Sequence, residues 1–241
     1  MIISHKLKVI YIKLVKVAGS SFEIALSKYC GPEDILTPIL PEGKIWESMG
    51  YRGGQNYKDP AGRRKYIAHI EALDVKKRIP KDVWDNYLKI ATIRCPYDAY
   101  ISFYHFTKYD FQQNKKRPPE KNFEAFVIKD KRVIKYLRGL HEEGKILIDF
   151  LIRYENLDED IKKLETKINC PGLLDTFQSI TAKKNIRPRD SASSHKTYSK
   201  YPNAKLIIDR RCSKLAKKYE FFQKYWPMYK SDLEKAMQNY A

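Results

Sequence analysis

The chain has 241 residues, of which 43% are hydrophobic and 32% charged, a composition that excludes a disordered chain and allows a substantial core. Lys and Arg number 47 against 29 Asp and Glu, and the net charge of +18 favours anionic partners. Charge alone does not choose among nucleic acid, a phosphate-rich cofactor and a sulfated or carboxylated glycan. No apolar run reaches the roughly 18 residues of a membrane span. The stretch from Met1 to Ile12 is a poor signal peptide, because Lys6, Lys8 and then Lys13 interrupt its apolar positions. The four cysteines, Cys30, Cys95, Cys170 and Cys212, show neither metal-site spacing nor the density of a disulfide scaffold. A cytoplasmic protein with reduced thiols and no bound metal is expected, its oligomeric state unreadable.

Leu7 to Leu14 is β-branched and partly alternating, and predicts a strand. Val15 to Ser21 is a short turn of small residues, followed by helical apolar spacing from Phe22 to Tyr29. Leu88 to Ile93 predicts a buried strand that stops at Arg94-Cys95-Pro96, with a helix from about Tyr97 to Thr107. Ile146 to Ile152 predicts a third strand, and Asp158 to Ile168 a charged helix. Between them lies Arg153-Tyr154-Glu155-Asn156-Leu157, where Asn156 or Asp158 is expected to cap the helix and Glu155 to be structural. Ala204 to Phe222 reads as a helix that closes on Tyr225-Trp226-Pro227. Gly50 to Gly62, Gln112 to Lys121 and Ile186 to Tyr201 are the stretches expected to be flexible. No repeat or linker divides the chain, so residues 1–241 read as one domain. Strands alternating with helices imply a mainly parallel sheet covered on both faces, with ligands beyond the carboxyl ends of the strands.

Two loops lie at that edge. Lys16-Val17-Ala18-Gly19-Ser20-Ser21 offers small residues that let backbone N–H groups approach a phosphate, a lysine and two hydroxyls, with a helix N-terminus behind them. It is not a Walker A loop, because the lysine precedes the single glycine. An ordinary strand-to-helix turn with a surface lysine fits the same residues. Arg94, with Ser102 eight residues later, can fork onto a second phosphate. Alternatively Arg94 pairs with Asp98, which offsets the helix dipole.

Taken together, these two motifs resemble the PAPS-dependent sulfotransferases (PAPS is 3′-phosphoadenosine 5′-phosphosulfate). The likeness is to the carbohydrate type that includes the heparan sulfate 2-O-sulfotransferases and short bacterial and viral members. It extends to Met1-Ile2-Ile3-Ser4-His5-Lys6, Cys30-Gly31-Pro32-Glu33-Asp34-Ile35, Ala68-His69-Ile70, Trp84 and Tyr87, Arg153 to Leu157, and Phe221, Phe222, Tyr225 and Trp226. The resemblance implies a P-loop-like three-layer α/β/α fold with a mainly parallel central sheet. It implies that the loop of Lys16, Val17, Ala18, Gly19, Ser20 and Ser21 holds the 5′-phosphosulfate, and that Arg94 and Ser102 hold the 3′-phosphate. It places a histidine or glutamate base near His69, with Glu71 as the second candidate, while Lys16 neutralises the leaving oxygen. A nucleotide-contacting loop falls near Ile186 to Tyr201, where Arg189 and Lys196 are the candidates and Arg187 and His195 stand beside them. A solvated basic loop is the simpler reading of that stretch. Val15 replaces the family's proline and Cys95 its asparagine, which leaves turnover in question but touches no expected phosphate ligand.

The expected acceptor is a hydroxyl, on a glycan or glycoside, and no nucleic acid partner is expected. Two other classes stand against this reading. A P-loop nucleotide kinase would share the fold but lacks a Walker A lysine and a clear magnesium carboxylate. A basic nucleic-acid binder would use the 18 tyrosines for stacking, yet those sit at core-like spacing.

Overall fold

The computed structural model describes residues 1–39, 43–114, 118–180 and 194–239. The described residues fall into two compact units, the first taking in Met1–Ile93 and the stretch from Leu147, the second Arg94–Ile146 and the stretch from Ser194. In chain order the first unit contributes β1 (Ile2–Ser4), β2 (Val9–Ile12), α1 (Gly19–Ser27), β3 (Ile35–Leu36), α2 (Gly43–Ser48), α3 (Ala72–Lys76), α4 (Lys81–Asn86) and β4 (Leu88–Ile93). The chain then enters the second unit as α5 (Pro96–Asn114), α6 (Phe123–Lys129), α7 (Arg132–Arg138), β5 (His141–Glu142) and β6 (Lys145–Ile146). It returns to the first with β7 (Phe150–Arg153), a 3-10 turn at Tyr154–Asn156, α8 (Leu157–Lys167) and α9 (Leu173–Ser179). It ends in the second with α10 (Ser194–Lys200), α11 (Pro202–Ala216) and α12 (Glu220–Gln238).

The first unit is a mixed α/β layer structure. Its sheet runs β3-β1-β2-β4-β7. β2, β4 and β7 pair in parallel, while β1 is antiparallel to both its neighbours, so four of the five strands share one direction. The registers Tyr11↔Ile90 and Ile90↔Phe150 line one face across the parallel strands. On that face Ile2, Val9, Tyr11, Ile90 and Ile152 form one core cluster with Phe22, Ile24, Ala25 and Leu26 of α1, Ile161 and Leu164 of α8, and Leu173 at the start of α9. Ile10, Ile12, Ala91 and Ile93, which alternate with them, are fully buried too. That double burial is why the strands read as continuous apolar runs. α8 forms because Ile161 and Leu164 lie one turn apart, with Asp158, Glu159 and Asp160 at its positive end and Lys167 at its negative end. Arg153 at the end of β7 locks that corner: its Nε and Nη2 donate to the two Asp160 oxygens at 2.7 and 2.6 Å, and its backbone N–H donates to Oδ2 at 2.8 Å.

The second unit is helical around α5, whose first residue is Pro96. Tyr97 packs its ring 5.2 Å from both Tyr198 of α10 and Trp226 of α12, and its hydroxyl donates to Asp209 of α11. Arg211 of α11 donates to the Tyr100 hydroxyl and to the carbonyls of Val127, Ile128 and Asp130, which close the end of α6. Tyr11, Tyr66, Tyr97, Tyr100 and Tyr198 are all fully buried, so a large part of the aromatic content is core.

Several expectations shift. The strand expected over Leu7 to Leu14 is only Val9–Ile12, because Lys8 adopts a left-handed φ of 55° in a turn that pairs β2 back onto β1. α1 starts three residues before Phe22 and α5 runs beyond Thr107 to Asn114. The strand expected over Ile146 to Ile152 is split between β6 and β7, since Asp149 turns to bond the Lys89 backbone N–H at 2.8 Å. Asn156 occupies the N-cap position of α8 without capping it; its side chain donates to Glu159 at 3.3 Å. The helix expected over Ala204 to Phe222 is two helices broken at Lys217 to Tyr219, and Pro227 lies inside the second. Within Gly50 to Gly62, Gln55 and Asn56 side chains donate to the carbonyls of Gly31, Pro32 and Asp34, which ties that stretch down. Residues 115–117 of the second expected flexible stretch, and 186–193 of the third, lie outside the described residues.

Candidate functional site

In the first unit the chain leaves β2 at the sheet edge where β4 and β7 also end, because the three strands are parallel. The loop 13–18 then leads into α1. Lys16 and Ala18 both take left-handed backbone, at φ 60° and 58°, with Val17 between them outside that region. Two non-glycine residues so placed cost about 1 kcal/mol or more each, and such alternation turns successive N–H groups toward one side. Ala18 is the N-cap of α1 and makes no side-chain cap. The first intrahelical bond runs from Phe22 N–H to the Ala18 carbonyl at 3.1 Å, so the N–H groups of Gly19, Ser20 and Ser21 are those the helix itself does not use. Lys16 and Ser20 are partly buried and Gly19 and Ser21 buried.

The side chain of Lys13, a residue outside the Lys16–Ser21 motif, passes beneath this loop. Its side chain is buried, and Nζ donates to Ser20 Oγ at 3.2 Å and to the Glu23 carboxylate. Glu23 also accepts from the Met1 amine, which donates to Thr37 Oγ1 at 2.8 Å. The glycine at 19 follows from this packing: a Cβ there would lie 2.9 Å from Lys13 Cγ and 3.1 Å from the Tyr11 hydroxyl.

His69 comes to the same place from the other side of the sequence. Its Nδ1 lies 3.1 Å from the Lys13 carbonyl. A carbonyl only accepts, so Nδ1 carries the proton and the neutral ring has its lone pair on Nε2. Glu71, partly buried, is the N-cap of α3, where its carbonyl accepts from Asp74 and Val75 N–H at 3.1 Å and its side chain makes no cap bond.

The second unit holds the other sequence candidates. Arg94 is 7% exposed and forks onto Asp98, with Nε 2.5 Å from Oδ2 and Nη2 on the same oxygen. Asp98 sits in the first turn of α5, so the pairing reading of Arg94 is realised in the fold. Ser102, partly buried, follows Asp98 by four residues and shares its helix face. Ser194 Oγ, at the start of α10, lies 3.4 Å from Asp98 Oδ1, and Tyr198 donates to the Tyr97 carbonyl at 2.8 Å. This brings the helix bearing His195 and the exposed Lys196 onto the helix bearing Arg94's partner. An anion at Arg94 must share the guanidinium with Asp98. Arg187 and Arg189 lie outside the described residues.

A shallow pocket beside α1, lined by Ile24, Thr37, Trp46, Tyr51 and Arg52 among others, contains none of the predicted site residues. Among the described residues no group of His, Cys, Asp and Glu is arranged to hold a metal ion, and no helix is long and apolar enough to cross a membrane.

No protein-family model matches the chain. No solved structure matches it either. A protein of Archaeoglobus fulgidus (strain ATCC 49558 / DSM 4304 / JCM 9628 / NBRC 100126 / VC-16), described as an uncharacterized protein, is 29% identical over 123 residues, which is 49% of this chain and 98% of that protein.

Proposed function

We propose that the chain is a PAPS-dependent sulfotransferase with a P-loop-like nucleotide site, acting on a carbohydrate hydroxyl. The observation that carries the proposal is the β2–α1 loop, in which left-handed Lys16 and Ala18 flank Val17, α1 presents its first N–H groups, and His69 is held at the Lys13 carbonyl. Such a loop suits a tetrahedral anion, because the donors are backbone groups already fixed before the ligand arrives.

In the proposed reaction the acceptor oxygen attacks the sulfur of the donor in line with the anhydride oxygen. A bond from acceptor oxygen to sulfur forms as the sulfur–oxygen bond to the 5′-phosphate breaks. The acceptor proton passes to Nε2 of His69, whose neutral tautomer has its lone pair there. Lys16 neutralises charge on the departing phosphate oxygen, giving a sulfate ester and PAP, the desulfated product. Glu71 is the second candidate for the base. Arg94 and Ser102 are assigned the 3′-phosphate, and Lys196 with Arg189 the nucleotide, by the family resemblance. The acceptor class and a cytoplasmic setting belong to the same proposal.

The test is thermal unfolding with PAP and, separately, with ATP and magnesium. A ligand at about a hundred times its Kd adds roughly 2.7 kcal/mol. At this chain length that is a rise of about 5–10 °C. The expected result is a PAP shift that disappears in Lys16→Ala and Arg94→Ala. A magnesium-dependent ATP shift without a PAP shift overturns the proposal in favour of a kinase.

A further inference from the structure

We infer that Lys13 is a positioning residue that sets the hydrogen-bond polarity of two groups at the loop, the Ser20 hydroxyl and the His69 imidazole. The inference deepens the proposed function and rests on that reading of the loop.

A hydroxyl has one proton to donate and can accept from others. The Lys13 ammonium can only donate, and its Nζ is 3.2 Å from Ser20 Oγ. Ser20 is therefore the acceptor in that bond, and its own proton is turned away from Lys13. The hydroxyl is thereby prepared as a donor to an anionic oxygen. The backbone of the same residue acts on His69: the Lys13 carbonyl takes the Nδ1 proton at 3.1 Å and so leaves Nε2 as the basic nitrogen. One residue thus makes Ser20 a donor and His69 an acceptor, which are the polarities that anion binding and proton removal require.

The surroundings keep Lys13 in this arrangement. Its side chain is 8% exposed and Glu23 1%, and the two carry a direct ion pair. With the lysine anchored at Glu23, its stem lies where a Cβ on residue 19 would fall, 2.9 Å from Cγ and 3.4 Å from Cε. The bare Gly19 backbone is what lets the lysine pass under the loop and reach Ser20. Lys13 touches no reacting atom in this scheme; it acts through Ser20 and His69.

The experiment is a double-mutant cycle in PAP affinity by calorimetry, using Lys13→Met, Ser20→Ala and the pair, with Lys13→Arg as the conservative variant. Each single change is expected to weaken PAP about 5–10-fold, and the double variant no more than the weaker single, because the lysine acts through the serine. Lys13→Arg is expected to recover part of the loss. Losses that multiply in the double variant overturn the inference. If Lys13→Met does not fold, ¹⁵N NMR of the wild-type imidazole decides the His69 half: a proton on Nδ1 supports it and a proton on Nε2 of the neutral ring overturns it. Failure of wild-type protein to bind PAP overturns the donor reading instead. The Lys13–Ser20 coupling is then read from the same cycle in unfolding free energy, where its absence overturns the inference on its own.

Discussion

Replacing Gly19 by alanine sets two effects of opposite sign against each other. Gly19 begins α1 without a positive φ, so alanine fits the backbone and, by restricting the unfolded chain, stabilises by about 0.4–1 kcal/mol. Against this, the new Cβ meets Lys13 Cγ at 2.9 Å and the Tyr11 hydroxyl at 3.1 Å. Neither neighbour yields easily. Tyr11 is fully buried and its hydroxyl lies 3.0 Å from Thr92 Oγ1, while Lys13 is held at its far end by Ser20 and Glu23. Overpacking of this kind costs about 1–3 kcal/mol. The overpacking term wins, and a net loss of about 1–2 kcal/mol lowers Tm by about 2–8 °C. Calorimetry of Gly19→Ala beside Gly31→Ala isolates the cause. At Gly31 the nearest atom to a new Cβ is Lys6 Cβ at 3.6 Å, an ordinary contact, and a change within about 0.5 kcal/mol is expected. A Gly19→Ala protein as stable as wild type, or as the Gly31 variant, refutes the packing argument.

Two further predictions follow from buried polar groups. His141 donates from Nδ1 to the Leu137 carbonyl and accepts at Nε2 from Phe221 N–H, each at 3.2 Å, so its ring must stay neutral to make both bonds. Burial lowers its pKa from the ordinary 6.5, against the backbone at Arg138 and Leu137 and the charge of Glu220, which pull the other way. The unfolded chain therefore binds the proton first, and the stability present above 6.5 is lost as pH falls through the folded value. Tm of wild type is expected to fall more steeply below pH 6.5 than that of His141→Gln, and equal slopes count against it. Asp160→Ala removes three bonds from Arg153, one from its backbone N–H and two from its guanidinium, at a cost of about 2–3 kcal/mol. Urea unfolding reads this directly, and a midpoint within error of wild type contradicts it.

Features written in local pattern were legible in the sequence. β4 matches Leu88–Ile93 at both ends because an unbroken apolar run stops at Arg94-Cys95-Pro96, and α8 falls within one residue because acids begin it and a lysine ends it. Features that depend on tertiary context were not. β1 is three residues long, and its turn uses a left-handed lysine where glycine or asparagine would have signalled a bend. The break between α11 and α12 at Lys217 to Tyr219 contains no breaker, whereas Pro227 is absorbed within a helix. At the site, the glycine, serines and lysine of the loop were visible as residue types. Lys13 was not, because an alternating strand residue followed by Leu14 gives no hint that its stem passes beneath Gly19 toward Glu23.

The placement of β7 has a consequence for how the protein is made. Lys89 on β4 and Asp149 beside β7 are 60 residues apart in sequence yet joined by hydrogen bonds in both directions. At about 5–20 residues per second, a ribosome releases β7 roughly 3–12 s after β4. During that interval β4 presents an open strand edge to the crowded cell, and the whole α5–β6 segment must be made before the edge can be sealed. Bringing the ends of so long an excursion together costs on the order of 4 kcal/mol of chain entropy. Early compaction of the α5–β6 segment lowers that cost, so its helices serve the sheet as a shortcut during synthesis.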